Sequence, residues 1–521
     1  MLLSVPWTKT CGERIAMDIK IDREIKIPVY LQIASSIKQQ IMTGSVNSDT
    51  ILPSERALAK MLSIHRNTVA RAYGELKGQG LIESYQGIGY RVCASAASEE
   101  GMTKNCIAQT GFADARKEHR RGDKRVNWLD QIKDEYLDMT VTFDEMFQRF
   151  SRPEKISLGS GIAATGIYDR EKLSKRISKI VSEEGKKQYF YTPYQGDEDL
   201  RRQIVSYLST KGIKATTRQI QILTETNQAL DFLITLLVKP GDAVITEEPV
   251  SPDTYRAIGL AGGKLITVPM GEDGIETAYL EEIIQRQKPR LICLNSSFHD
   301  PTGQVLSVEK RKEILKLSEK YRLPVIEYDE ASELHYDIPS ISPMKVFDRL
   351  ENVVYIYSFS LTFVPGLSLA FIVANADLIR RLSYLVSVRL VAMDWMTQRL
   401  LAEFLEEGVY YRKLSDYRKE YKKKRDIVCG KLEEMKELGV SYLKPKGGIY
   451  VWCRLPDGVD SKELDSRAYS SGISILPGYV FYPSKNGGRE YIRINFSYET
   501  PERLSKGMDI LKASIEECMK G

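Results

Sequence analysis

The chain has 521 residues, with 75 basic against 70 acidic side chains and a net charge of +5; 42% of the residues are hydrophobic and 28% charged. That composition excludes wholesale disorder, a collagen-like repeat and a disulfide mini-scaffold, and the length calls for two or three compact units. So small a charge surplus confines any nucleic-acid surface to a local patch.

Residues 1–22 lack the apolar core and cleavage site of a secretory signal and are expected to be a disordered N-terminal extension, with Met17 reading like a natural start. From residue 23 to residue 93 the pattern is dense. Ile33, Ile37 and Ile41 recur at helical spacing, and Gly44 closes that helix. Ser54 is a good N-cap for a second helix carrying Leu58, Met61 and Leu62 on one face. After Ser63-Ile64-His65, a third helix places Val69, Tyr73 and Leu76 on one stripe. Two short strands, 81–83 and 90–92, flank Gln86-Gly87-Ile88-Gly89 as a hairpin. Three helices and a hairpin make a winged helix-turn-helix outline.

Residues 94–127 are rich in Ala, Ser, Glu, Lys and Arg and are read as a flexible linker. Across 128–521, apolar runs such as LICLN, LPVIEYD and VVYIYSF alternate with amphipathic helices, the pattern of a large α/β domain with parallel strands. The run Tyr417-Arg418-Lys419-Glu420-Tyr421-Lys422-Lys423-Lys424-Arg425 reads first as the solvated face of a long helix, with a basic path for DNA as the alternative. Seven cysteines without a C-x-x-C pair fit a reducing cytoplasm, and with four histidines no metal site is expected. No stretch reaches the ~18 apolar residues of a membrane span.

In a helix-turn-helix the second helix of the motif enters the major groove. Here that helix starts at His65-Arg66-Asn67-Thr68, with Arg71 one turn on. Arg66 has the geometry to pair with guanine and Asn67 with adenine, while Thr68 and Arg71 suit phosphates. Arg56 is placed to hold the neighbouring backbone, and Gln86 and Gly87 put the hairpin tip at the minor groove. Residues 23–92 hold nine basic against five acidic side chains, a modest local surplus.

The segment LPSERALAKMLSIHRNTVARAYGELKGQGLIESYQGIGYRV resembles the GntR family of bacterial regulators, in the MocR/GabR version fused to an aminotransferase-like domain. The rest of the chain resembles fold-type I aminotransferases through Tyr191-Thr192-Pro193-Tyr194-Gln195-Gly196, His299-Asp300-Pro301-Thr302-Gly303, Ser358-Phe359-Ser360-Leu361-Thr362 through Ser368, and Tyr491-Ile492-Arg493-Ile494-Asn495. The resemblance implies a homodimer on a double-stranded operator with two half-sites.

It also implies pyridoxal phosphate chemistry, and there the residues depart from the pattern. The Schiff-base lysine position is Leu361 and the phosphate-gripping arginine position is Ser368. Tyr328 stands at the position of the carboxylate that pairs with the ring nitrogen, with Asp329 one residue off. Asp300 replaces the asparagine at the ring oxygen, Ser251 the stacking aromatic, and Glu225 a glycine near the phosphate. From these departures the domain is expected to bind no cofactor and to be catalytically inactive. Arg493, with Asp300, Tyr328 and Tyr194, is the candidate site for a carboxylate or amino-acid effector; alternatively Arg493 pairs internally with Asp300 or Glu225. A pyridoxal-phosphate-responsive regulator or residual aminotransferase, and a constitutive DNA-binding dimer with a purely structural large domain, remain the alternatives.

Overall fold

The computed structural model describes residues 2–8, 14–22, 28–42, 46, 50–78, 81–85, 89–93, 126, 128–131, 149–150, 152–163, 167–184, 190–483 and 487–520. The chain divides into two compact units, residues 1–123 and 124–521. Nearly all of the segment read as a linker, together with Gln86 and Gly87, lies outside the described residues.

The small unit opens with β1 (Leu2–Thr8) and β2 (Arg14–Lys20), an antiparallel pair in the register Leu2↔Lys20. This differs from the disordered extension expected for residues 1–22. Leu-Leu-Ser-Val and Ile-Ala-Met-Asp-Ile alternate well enough to pair as strands, and Ile19 is buried in the core of the unit. Three helices follow: α1 (Val29–Met42), α2 (Glu55–Leu62) and α3 (Arg66–Gly78). Ile33, Ile37 and Ile41 of α1 meet Leu58 and Leu62 of α2 and Val69, Tyr73 and Leu76 of α3 in one core. The Ser54 hydroxyl caps α2 by accepting from the Ala57 N–H at 3.2 Å. Strands β3 (Ile82–Tyr85) and β4 (Gly89–Val92) form the hairpin, Ile82 opposite Val92. The segment before α2 joins the far side of β4, with Leu52 N–H donating to the Tyr90 carbonyl.

The large unit is built on an eight-stranded sheet. Its strands are β5 (Ile220–Leu223), β6 (Ala243–Glu248), β7 (Lys264–Gly271), β8 (Gly274–Ile275), β9 (Leu291–Asn295), β10 (Val325–Asp329), β11 (Val353–Ser358) and β12 (Ala370–Val373), in the order β5-β12-β11-β10-β9-β6-β7-β8. The central pairs are parallel and the pairs β11–β12, β12–β5 and β7–β8 antiparallel. All five residues of β9 and of β10, and all six of β11, are buried, because both faces of a parallel sheet are covered. Helices α4 (Thr226–Leu237) and α5 (Pro252–Leu260) lead out from the ends of β5 and β6. A second sheet is antiparallel, in the order β13-β14-β16-β15: β13 (Ser441–Tyr442), β14 (Tyr450–Arg454), β15 (Leu476–Pro477) and β16 (Tyr491–Asn495).

Between the two sheets in sequence runs α6 (Val409–Glu434), the helix that bears the basic run. Only part of that run is solvated. Tyr417, Tyr421, Lys424 and Arg425 are buried, Lys424 donating to the Ser497 carbonyl at 2.9 Å and Arg425 to that of Pro445 at 2.9 Å. The expectation of a solvated face fails for these two cations because their stems pack against the second sheet's subdomain, where main-chain carbonyls and the carboxylates of Asp337 and Asp426 for Arg425, and of Glu420 for Lys424, meet the charged tips. Among the described residues no helix is long and apolar enough to cross a membrane.

Candidate functional site

In the small unit, the start of α3 is capped from within the turn. The Asn67 N–H donates to His65 Nδ1 at 3.2 Å and the Thr68 N–H to the His65 carbonyl at 3.0 Å. His65 thus serves the helix terminus, and Arg66 and Asn67 remain exposed beside it. Arg66 Nε reaches Glu55 at 2.9 Å across the turn, with 54% of the Arg66 side chain exposed. An exposed pair of this kind is worth about 0–1 kcal/mol, so the guanidinium is free to exchange Glu55 for a base edge or phosphate at little cost. Arg71 lies 4.2 Å over the Tyr30 ring, which fixes its direction. Arg56 is exposed on the first turn of α2 and Thr68 is half-buried. The scaffold beneath is tied together: buried Tyr73 donates to the Pro53 carbonyl at 2.7 Å and packs its ring, tilted, at 4.7 Å from that of Tyr90, whose hydroxyl reaches Glu55.

In the large unit a cavity of about 570 Å3 opens where the C-terminal ends of the parallel strands meet the second sheet, the usual place for a ligand in an open α/β sheet. Its walls come from the start of α4, the start of α5, the end of β10, the loop after β11, and Tyr450 and Arg493 of the second sheet. The pleat of β10 decides between neighbours. Tyr328 faces the cavity, its hydroxyl accepting from Thr254 at 3.1 Å, while Asp329 points the other way to Tyr355 at 2.8 Å and the Ser332 N–H at 2.9 Å.

Arg493 is buried on β16, opposite Trp452 of β14 and Leu476 of β15. Its Nη1 donates to Asp300 at 2.7 Å and its Nη2 to the Gly159 carbonyl at 2.9 Å, and the guanidinium lies 4.1 Å from the centre of the Tyr450 ring. Gly159 itself lets the Ile475 backbone pass close by, since a Cβ there would come within 2.6 Å of it. Among the described residues, the Nε of Arg493 and the hydroxyl of Ser160, 1% exposed, have no partner.

The remaining charge in the cavity is acidic. Glu225 is the N-cap residue of α4; burial raises its carboxyl pKa, and the Ser368 and Ser358 hydroxyls and the Thr226 N–H only partly offset this. Burial likewise raises Asp253, against Arg256 and Asn227. Glu330 is pushed up to about 7 by burial, with Asp300, Glu225 and Asp253 adding like charge. Leu361 and Ser251 also line the cavity. Of the effector candidates, Arg493, Asp300 and Tyr328 therefore come together. Tyr194 does not: it is 47% exposed on a surface loop and is absent from the cavity wall. Sequence reasoning missed Glu330, Asp253 and Tyr450. Glu330 follows directly on Asp329, and its neighbours arrive from distant segments, so no local pattern marks it.

The family model for aminotransferase class I and II matches residues 153–511, and that for bacterial regulatory proteins of the gntR family matches residues 29–92. Over nearly its whole length the chain is similar to regulators. It is 29% identical to the HTH-type transcriptional regulator YdfD of Bacillus subtilis, covering 94% of this chain and 97% of that one. It is 24% identical to the rhizopine catabolism regulatory protein MocR of Rhizobium meliloti, covering 95% of each. Among solved structures it is similar to the α-aminoadipate aminotransferase LysN of Thermus thermophilus, complexed with N-(5'-phosphopyridoxyl)-L-leucine (TM-score 0.71, 26% identity, 76% of this chain and 100% of that one).

These matches correct the expectation of a domain without a cofactor. An aminotransferase class I and II domain with neighbours of this kind points to pyridoxal phosphate binding. The residues around the cavity do not fit that group in its imine-linked form. Among the described residues no lysine lines the cavity, Leu361 is 6% exposed among apolar neighbours, and Glu225 sets a carboxylate at the α4 N-terminus, where backbone N–H groups favour an anion from outside. The departures were legible in the sequence, but they bear on the mode of holding and not on the class of site.

Proposed function

The chain belongs to the aminotransferase class I and II family and carries a gntR-family DNA-binding domain, and from that premise we propose an effector-responsive transcription regulator whose large domain senses a small amino or carboxylate ligand and does not transaminate. It is a DNA-binding regulator of the GntR/MocR type. In our reading it acts in the cytoplasm as a homodimer, and two heads require two operator half-sites. Arg66 and Asn67 read bases, and Thr68, Arg71, Arg56 and His65, with Gln86 and Gly87 of the hairpin, hold the backbone. A pyridoxal-phosphate-class ligand, to which the relatives point, would sit in the cavity without an imine to a pocket lysine, since Leu361 stands at that position.

The observation that carries the sensing role is the large cavity between the two sheets, with Arg493 in its wall and Arg493 Nε and the Ser160 hydroxyl left unpartnered. Arg493 is tied to Asp300 of the first sheet's subdomain and to Gly159 beside the second. A ligand that competes for this guanidinium changes how the two halves of the large domain close. It shifts occupancy of the operator only through different affinities for the two closures. The test is operator binding by the full chain across a panel of amino acids and small acids, with Arg493→Ala alongside. A response that Arg493→Ala abolishes supports the reading; a response that the substitution leaves untouched refutes it.

A further inference from the structure

The large unit has a second cleft, of about 510 Å3, that shares no lining residue with the cavity described above. One wall is the N-terminal part of α6, which brings Arg418 of the basic run to the cleft. The other charged groups in its wall are Lys211, Glu333 and the imidazole of His335. Two cations thus share a single carboxylate.

The contacts are specific. Glu333 Oε1 accepts from the Tyr207 hydroxyl at 2.8 Å and lies 2.8 Å from Lys211 Nζ, while Oε2 accepts from Arg418 Nη2 at 2.8 Å. Arg418 Nε donates to the Glu333 carbonyl at 2.6 Å. One carboxylate therefore holds the two cations beside each other, one on each oxygen, and an excess of one positive charge stays at the cleft. That excess is not on a free surface. Only 7% of the Lys211 side chain and 11% of that of Glu333 are exposed, and Lys211 Nζ sits 5.4 and 5.6 Å from the centres of the Tyr207 and Tyr357 rings. A partly buried charge without a counterion is costly, and an anion relieves it.

The donors to receive an anion are in place. Among the described residues, Arg418 Nη1 and the hydroxyls of Ser340 and Ser342 bond to nothing in the protein. His335 Nδ1 donates to the Ile338 carbonyl at 3.0 Å, since a carbonyl only accepts, so Nε2 is the open position of that ring. A guanidinium edge with several hydroxyls and a nearby ammonium exceeds what the two oxygens of a carboxylate use. It matches a phosphate group, with three strong acceptor oxygens and a charge of about −1.5 to −2. The cleft is far larger than a phosphate, and Leu414, Ile341 and Pro343 give it apolar surface for an organic remainder.

We propose that this cleft is a second ligand site, for a small phosphate monoester. Arg418 Nη1 and the hydroxyls of Ser340 and Ser342 hold the phosphate, Lys211 supplies charge from beneath, and the organic part packs on Leu414 and Ile341. The site stands apart from the sensing role of the first cavity and does not depend on it.

The experiment is calorimetric titration of the full chain with phenyl phosphate, inorganic phosphate and glutarate, repeated on Ser340→Asp and Arg418→Gln. Ser340 is exposed and its hydroxyl makes no bond in the protein, so Ser340→Asp sets a negative charge in the cleft and leaves the fold intact. Arg418→Gln removes the guanidinium edge, and thermal unfolding checks that this variant is folded. The expected result is that phenyl phosphate binds more tightly than inorganic phosphate or glutarate, and that each substitution weakens it about tenfold or more, the scale of one charge-assisted contact. Affinity for phenyl phosphate that Ser340→Asp leaves unmoved overturns the inference, because the ester is then held elsewhere on the chain. Inorganic phosphate or glutarate binding at least as tightly as the ester overturns it as well, and so does the absence of any binding by the ester.

Discussion

Glu330→Gln tests the electrostatics of the cavity most sharply. In the folded chain the Glu330 carboxyl is pushed from 4.5 up to about 7, by burial first and then by Asp300, Glu225 and Asp253. Below pH 4.5 it is protonated in both the folded and unfolded chain and contributes nothing to the difference. Between 4.5 and about 7 the unfolded chain ionises while the folded chain keeps its proton, so the folded state binds more protons and stability falls as pH rises. Above about 7 the full cost is present. At 1.36 kcal/mol for each pH unit between the two values this amounts to roughly 3 kcal/mol, and nearer 1.5–2 because part of Glu330 opens onto the cavity. The isosteric amide has no such titration. Urea unfolding between pH 5 and 8, followed through Trp395 and Trp452 of the large unit, is expected to show the variant gaining on the parent as pH rises, by about 1.5–2 kcal/mol at pH 8. Parallel profiles for the two proteins would refute the buried, like-charged setting described for Glu330.

Two further predictions concern the other sites. Arg66→Ala, which removes the guanidinium proposed to read a base at the cost only of an exposed ion pair with Glu55, should weaken operator binding by about 1–3 kcal/mol and relax preference at one base pair, read by fluorescence anisotropy on a set of operator variants; a uniform loss across all variants would make Arg66 a phosphate contact. With pyridoxal phosphate and borohydride, the parent chain should give no fixed adduct on any cavity residue, and Leu361→Lys should gain one at position 361, read by peptide mass mapping. A cavity adduct in the parent would show that a lysine from elsewhere reaches the site.

Much of the small unit was legible because its helices are short and strongly periodic. Ile33, Ile37 and Ile41, spaced by four, all turn inward, as do Val69, Tyr73 and Leu76. The strands of the large sheet were legible as apolar runs bounded by turn residues. The cavity was only half legible. Leu361, Ser368 and Asp300 sit in segments with strong local patterns, so their departures could be seen. Glu330 and Asp253 become members of one acidic cluster only when β10, α5 and the second sheet are brought together, and Tyr194 leaves the cavity list because its loop lies on the surface. Lys424 and Arg425 looked solvated because a basic run says nothing about which cations find carbonyls and carboxylates beside a buried stem.

The central claim is that the chain reads a specific operator as a pair of heads. Selection of bound sequences from a random double-stranded DNA pool by the full chain measures this most directly. The account predicts enrichment of one motif present twice at fixed spacing, lost with Arg66→Ala. A single unrepeated motif would contradict the paired reading, and no enrichment above the starting pool would contradict sequence-specific regulation altogether.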